Sequence, residues 1–564
     1  MRLVVCITPI SLAHTSQQPA SLIQHIQPIP LQQLPQNTFC VFLVTPSFAQ
    51  WLGNDGVFVQ KALSAVYSTW LKELGEGVMP STLEVDVLCA VVDKLPSGRA
   101  PNPNNTLEDE VFARSTQPPV SESGFEGIAY VTLPSAASVS SAAPVSPDKG
   151  AIDFIIPEHT ETPGGPRDIL RLPLANTIFQ TGTPRTMILS KWKLSQSEQT
   201  EETKQPMELI SKTDISHHGI RITRHDPTMS SVTSALSLPL IPLTHGRQVN
   251  GCMGNIIRQV VGPEKAIVTA SSELEEVVPR FFKSRGEPVQ ATTVWALVVP
   301  RQLQARLSGR TVKMLKKYVK KNEKGQDDEN KLWERLWQHD PPHWYHLASK
   351  ALLQGARLHR VLSGGGGWGK KAGLLALDPV PMTRIDRRIS ESSSRNSAIA
   401  SEDPEDLASA LAPVVQEGDY IQFFISPVPA SASGVDPSIE RQKLAARPQD
   451  KTCGWEIGTI PSTADSMPGG SWQHAPSAAN HISVFQNNFG ALSEGGLTFT
   501  RRFQLRNQGK AKQVLFEGVG TTTIDVPFSR FWAIEVAEKG FAKKNQKLAL
   551  REQKSLKKAV RKSS

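Results

Sequence analysis

The sequence is short of the residues that usually announce a chemistry. It has five cysteines, Cys6, Cys40, Cys89, Cys252 and Cys453, and no two of them are spaced CxxC. An odd, scattered set argues against a disulfide framework or a cysteine zinc site and suits a reducing compartment. No apolar run approaches the roughly 18 residues of a membrane span, so no transmembrane helix is expected. A GxSxG elbow, a zincin HExxH and an EF-hand loop are all missing, which removes the signatures of three large enzyme and metal-binding classes. Nor is there an internal repeat of solenoid or propeller length. The sequence therefore names no catalytic residue, no metal ligand set and no cofactor.

Charge is missing from the beginning of the chain. No acid precedes Asp55, and Arg2 is the only Lys or Arg before Lys61. Residues 1–13 have the outline of a secretory signal, and an acid-free segment rich in Ser and Gln also suits an organellar transit peptide. A buried first strand is the competing reading. Of the targeted locations the mitochondrion is expected, because odd cysteines and a lysine-rich end suit secretion poorly; the cytoplasm is the alternative.

Charge is concentrated at the other end. Residues 539–564 hold ten Lys or Arg and one acid, Glu552, a local balance of +9; the whole chain is also +9, so residues 1–538 are neutral by difference. A short basic segment binds polyanions without involving the folded body. Lys543, Lys544, Lys547, Arg551, Lys554, Lys557, Lys558, Arg561 and Lys562 are the candidate phosphate contacts, on a tail expected to be helical once bound. Residues 306–324 carry eight basic residues and one acid. Val312, Leu315 and Val319 would make a narrow buried seam there, leaving Lys316, Lys317 and Lys320 as a second basic face. The following 332–347 segment sets Trp333 and Trp337 one helical turn apart, as core or as a base-stacking platform. His339, Asp340, His343 and His346 surround its Pro-Pro turn.

Apolar, β-branched runs at 41–45, 85–92, 294–299, 420–425 and 531–536 read as buried strands. Between the first two, Val59, Ala62, Leu63, Val66 and Leu71 share one helical face, which makes strand, helix, strand. The same order runs through 266–269, 272–283 and 292–299, with Ser272 and Glu275 in capping-box spacing. The expected fold class is α/β, a βαβ-type body with long Ser/Pro-rich insertions and the basic tail. Its segments are an N-terminal α/β region, 1–133; a low-complexity linker, 134–150; a central α/β region, 151–384; a disordered linker, 385–413; a mainly β region, 414–538; and the tail, 539–564.

The sharpest local motif is SGGGGWGKK at 363–371. Gly364, Gly366, Gly367, Gly369 and Lys370 fit a phosphate-cradling glycine loop, but Lys371 stands where a P-loop needs Ser or Thr, and Pro379 stops any long helix. His217, His218, His225, Asp226 and His245 form a looser cluster placed for a cleft near Cys252. Arg387-Arg388-Ile389-Ser390 makes Ser390 a target for a basophilic kinase. The leading expectation is a noncatalytic RNA- or ribosome-associated protein. The alternatives are a small-molecule enzyme or sensor holding a phosphate-bearing ligand at the glycine loop, and a scaffold protein.

Overall fold

The computed structural model describes residues 3–4, 22–30, 38–53, 56–73, 82–96, 124–140, 150–157, 166–195, 207–222, 229–262, 265–290, 292–303, 329–338, 346–364, 373–379, 414–426, 454–462, 485–486, 488–507 and 514–537. Strands, numbered here along the chain, dominate them and form five sheets.

The first sheet shows how contiguous apolar runs are used. Strand β2, Phe39–Val44, lies between β3, Thr82–Val91, which is parallel to it, and β4, Ile128–Leu133, which is antiparallel. Strands β8, Met187–Ser195, and β9, Met207–Asp214, extend the sheet beyond β3. Every residue of β2 is buried because both faces of the sheet are covered. Cys40, Phe42 and Val44 pack with helix α1, Val57–Val66, whereas Phe39, Val41 and Leu43 enter the main core. The strand-helix-strand unit expected from 41–92 is therefore present.

The second expected unit is not. Strand β15, Ile267–Thr269, pairs antiparallel with β14, Ile256–Val261. Helix α2, Ser272–Arg285, leads instead to β16, Val294–Val299, which pairs antiparallel with β17, Arg357–Gly364, and with β19, Tyr420–Ile425. Strands β13, Arg247–Met253, and β18, Leu375–Leu377, complete a ring in the order β13, β14, β18, β17, β16, β19 and back to β13. This is a closed six-stranded antiparallel barrel, with β12, Ile241–Pro242, and β15 added at its margins. The expected α/β class is thus overturned: the body is mostly β, and a strand-helix-strand order proved to be the passage from one barrel wall to another. The expected helical tail lies outside the described residues.

Helix α2 starts one residue earlier than its expected cap. Ser271 is the N-cap, and its hydroxyl donates to Glu275 Oε1 at 2.8 Å, while the Ser272 hydroxyl bonds the Thr269 carbonyl. The helix ends at Gly286, whose φ of 69° is the left-handed conformation that favours glycine at this position.

The other sheets flank the barrel. A six-stranded sheet runs β24 (Val514–Ile524), β23 (Leu497–Asn507), β7 (Pro166–Pro173), β6 (Ala151–Pro157), β10 (His217–Arg221), β5 (Ser138–Val139). Part of the Ser/Ala-rich stretch 134–150 is therefore a strand. A four-stranded sheet runs β11 (Met229–Ser237), β25 (Arg530–Ala537), β20 (Gly454–Thr459), β22 (Asn488–Ser493), and β1 (Leu3–Val4) pairs with β21 (Phe485–Gln486). Gly490 of β22 faces Glu456 of β20 so closely that a Cβ would stand 1.6 Å from the Glu456 carbonyl oxygen. No helix among the described residues is long and apolar enough to cross a membrane.

Candidate functional site

Most of the sequence-selected residues lie outside the described residues. These are Gly366, Gly367, Gly369 and Lys370; Lys316, Lys317 and Lys320; every basic residue of the tail; Ser390; His225 and Asp226; and His339, Asp340 and His343. Gly364 is described. It ends β17 opposite Leu375, and its missing Cβ would meet the Leu375 side chain at 3.2 Å, which makes it a strand glycine.

The tryptophans are core. Trp333 and Trp337 lie on helix α3, Glu329–Trp337, and are 4% and 0% exposed, so neither offers a face to a base. Their rings stand 5.8 Å apart, Trp337 also meets Phe281 of α2, and its indole N–H donates to the Pro242 carbonyl at 3.1 Å. Burying an indole requires such a partner.

The described histidines of the expected cluster, His217, His218 and His245, do not converge. His217 and His218 are consecutive in β10, so they point to opposite faces of the six-stranded sheet. His218 Nε2 bonds the Ser138 hydroxyl at 2.9 Å and its ring packs on Phe39; burial pushes its pKa down. His245 packs edge-on against Trp333. Cys252 belongs to a different sheet, in β13. Its thiol donates to the Val415 carbonyl, and burial, with the negative charges of Glu417 and Asp419, pushes its pKa up, the reverse of what a thiolate nucleophile needs. Cys40 and Cys89 are fully buried and pushed up to about 12 by desolvation. Among the described residues no three His, Cys, Asp or Glu side chains are grouped to hold a metal ion.

Buried charge is mostly used to join strands. Arg171 and Asp153 sit directly opposite in β7 and β6 and form a bidentate pair at 2.7 and 2.8 Å. Arg501 and Asp168 are opposite in β23 and β7 at 3.2 Å, and Ser234 donates to the same carboxylate. Arg530 pairs with Glu456 at 3.2 Å and donates to the carbonyls of Thr459 and Ser529.

One constellation remains, at an end of the barrel. Register puts Arg357 beside Val298, and His359 beside Ala296, whose other neighbour is Phe423, on one face of the wall. Leu358 and Arg360 lie on the opposite face, where Leu358 is fully buried and Arg360 is exposed. His359 is 3% exposed, and its Nδ1 lies 2.9 Å from the Asp378 carbonyl oxygen. A carbonyl only accepts, so Nδ1 carries the proton and Nε2 presents a lone pair. Nε2 is buried, with no hydrogen-bond partner among the described residues. Burial lowers the His359 pKa to about 4, with the positive charge of Arg357 adding to the effect against the Asp378 bond. The 414–419 turn lies beside this end of the barrel, with the Asp419 charge felt by Arg357. Its Asp419 carboxylate accepts from the amides of Arg301 and Gln416 at 3.2 and 3.0 Å. Sequence reasoning missed Arg357 and His359, which stand at alternate positions of one strand.

No family model, curated protein or solved structure matches this chain.

Proposed function

We propose that the chain is a noncatalytic RNA- or ribosome-associated protein that holds phosphates with the basic residues of 539–564. The carrying observation is the segregation of charge: the +9 of the whole chain equals the +9 of that segment. Support comes from the body, where Arg171, Arg501 and Arg530 are committed to carboxylates on neighbouring strands rather than offered to a polyanion. A cationic segment following a net-neutral remainder of the chain suits counterion-release binding, which is steep in salt and weak in sequence preference. Lys316, Lys317 and Lys320 are the proposed second contact face, and a mitochondrial site of action belongs to the same reading.

The test is RNA binding by the full chain across a salt series, with and without Gln at Lys543, Lys544, Lys547, Lys554, Lys557 and Lys558. With these six lysines no longer neutralising phosphates of a single strand, the slope of log affinity on log salt should flatten by about 4. An unchanged slope refutes the proposal.

A further inference from the structure

Asparagine followed by glycine occurs once in the chain, at Asn250-Gly251. The side-chain carbonyl carbon of such an asparagine and the next backbone nitrogen can close a small ring, because glycine leaves that nitrogen uncrowded and its backbone free to turn. A regular strand holds the two atoms apart. Strand β13 is not regular at this point. Val249 pairs with Val260 and Gly251 with Gln259, consecutive residues of β14, so Asn250 is the extra residue of a β-bulge and has no partner in that ladder. On its other edge β13 pairs with β19 only at Arg247 and Gln248, and its backbone bonds to the 418–419 turn are both made by Val249. Asn250 is exposed, and its side chain forms no hydrogen bond with any described residue. Nothing in the fold requires glycine at 251: a Cβ there would meet nothing nearer than Gln259 Oε1 at 3.7 Å, and the backbone is not left-handed.

We propose that Asn250 is a site of spontaneous deamidation in the folded protein, placed beside the seam where the barrel closes. The Gly251 nitrogen loses its proton and attacks the Asn250 side-chain carbonyl carbon; a C–N bond forms there, the bond to the side-chain nitrogen breaks, and ammonia leaves a succinimide behind. Water then adds to either imide carbonyl and opens the ring. One opening gives aspartate, the other isoaspartate, whose main chain runs through the former side chain. Nothing is oxidised or reduced, and water is the only co-reactant. Asn176 and Asn255 are the internal contrast. Each precedes a β-branched residue, Thr177 or Ile256, that crowds the attacking nitrogen, and each side chain is engaged, Asn176 accepting from the Ile178 amide and Asn255 donating to the Leu377 carbonyl. The new carboxylate stands one residue from Val249, which bonds the turn that carries Glu417 and Asp419, and the charges of those two acids already reach Cys252. Like charge at the seam, and the methylene that isoaspartate adds to the backbone of β13, both act against barrel closure.

The test is incubation of the full chain at pH 8 in water enriched in heavy oxygen, once folded and once unfolded in guanidinium chloride, with the peptide containing position 250 read by mass spectrometry and isoaspartate identified by enzymatic methylation. The folded protein should take up label at 250, with isoaspartate among the products, at a rate within about tenfold of the unfolded chain, because the bulge has already released this residue from the ladder. Asn176 and Asn255 should stay unlabelled over the same time. Gly251→Ala, which the fold has room for, should slow the reaction about tenfold by crowding the nitrogen and stiffening its backbone, and Asn250→Gln, whose longer side chain closes a less favourable ring, should abolish it. The reacted protein should unfold at a lower urea concentration than fresh protein. Label at 250 confined to the unfolded chain overturns the proposal; so does label without isoaspartate, the mark of direct hydrolysis, and so does a folded rate that Gly251→Ala leaves unchanged. Equal urea midpoints for reacted and fresh protein refute the effect on the seam.

Discussion

Replacing His359 with Phe should make the protein less sensitive to acid, and the size of the effect follows from where the ring sits. In the folded barrel the imidazole is held neutral, with its pKa lowered from 6.5 to about 4 by burial; in the unfolded chain it titrates normally. Below pH 6.5 the unfolded state therefore takes up a proton that the folded state refuses, and stability falls as pH falls until the folded pKa is reached. The 2.5-unit gap corresponds to about 3 kcal/mol over the whole window, of which about 2 kcal/mol is already lost at pH 5. At pH 7.5 the substitution removes the Nδ1–H bond to Asp378, worth about 1 kcal/mol, and also removes the unmatched Nε2, which costs about 1 kcal/mol or more in the native protein. The two nearly cancel. Phe should thus be close to neutral at pH 7.5 and stabilising by about 2 kcal/mol at pH 5.

Urea unfolding of both proteins at the two pH values, in phosphate-free buffer and followed by tryptophan emission, measures this difference. Trp295 lies beside Ala296, the direct strand partner of His359, so the signal reports on the barrel wall. Asp93 and Asp525 have folded pKa values raised by burial, which opposes acid destabilisation, but both proteins contain them and their contribution subtracts out. A stability difference between the two proteins that is identical at pH 7.5 and pH 5 would show that His359 is free to protonate in the fold and would refute the reasoning.

Gly490→Ala should disrupt the four-stranded sheet, since its Cβ would overlap the Glu456 carbonyl, whereas Gly246→Ala, with open space around it, should move the thermal midpoint little; soluble yield and melting of the two variants check this. Asp153→Asn should cost about 3 to 5 kcal/mol in chemical denaturation by leaving Arg171 buried beside a neutral group, and adding Arg171→Met to that variant should restore much of the loss.

What the sequence reveals and conceals divides along the range of the interactions. The six residues of β2 were legible as a buried strand because each is apolar and both faces of its sheet are covered, and helix α1 was legible because Val59, Ala62, Leu63 and Val66 repeat at the helical period. Their pairing into a parallel unit is local, one helix apart, and was also legible. Barrel closure was not: it depends on Arg247 and Gln248 meeting Ile421 and Tyr420, partners far apart in the chain, and the wholly apolar β16 reads the same in a parallel sheet as in a barrel wall packed on its outer side. Trp333 and Trp337 carried the same ambiguity, since a pair one turn apart suits a stacking platform and a core equally until the Pro242 carbonyl is found against the indole nitrogen. The barrel mouth is the strongest case. His359 and Arg360 are neighbours in a stretch that reads as a short apolar run, yet one is sealed inside with its pKa driven to about 4 and the other stands in solvent. Nothing in their own composition separates them; strand parity does, and only once the sheet has closed to give parity an inside. The same pairing sets Arg357 beside His359 on one face of β17, a juxtaposition that is a property of topology, while the polyanion affinity proposed for 539–564 is a property of composition and needs no fold at all.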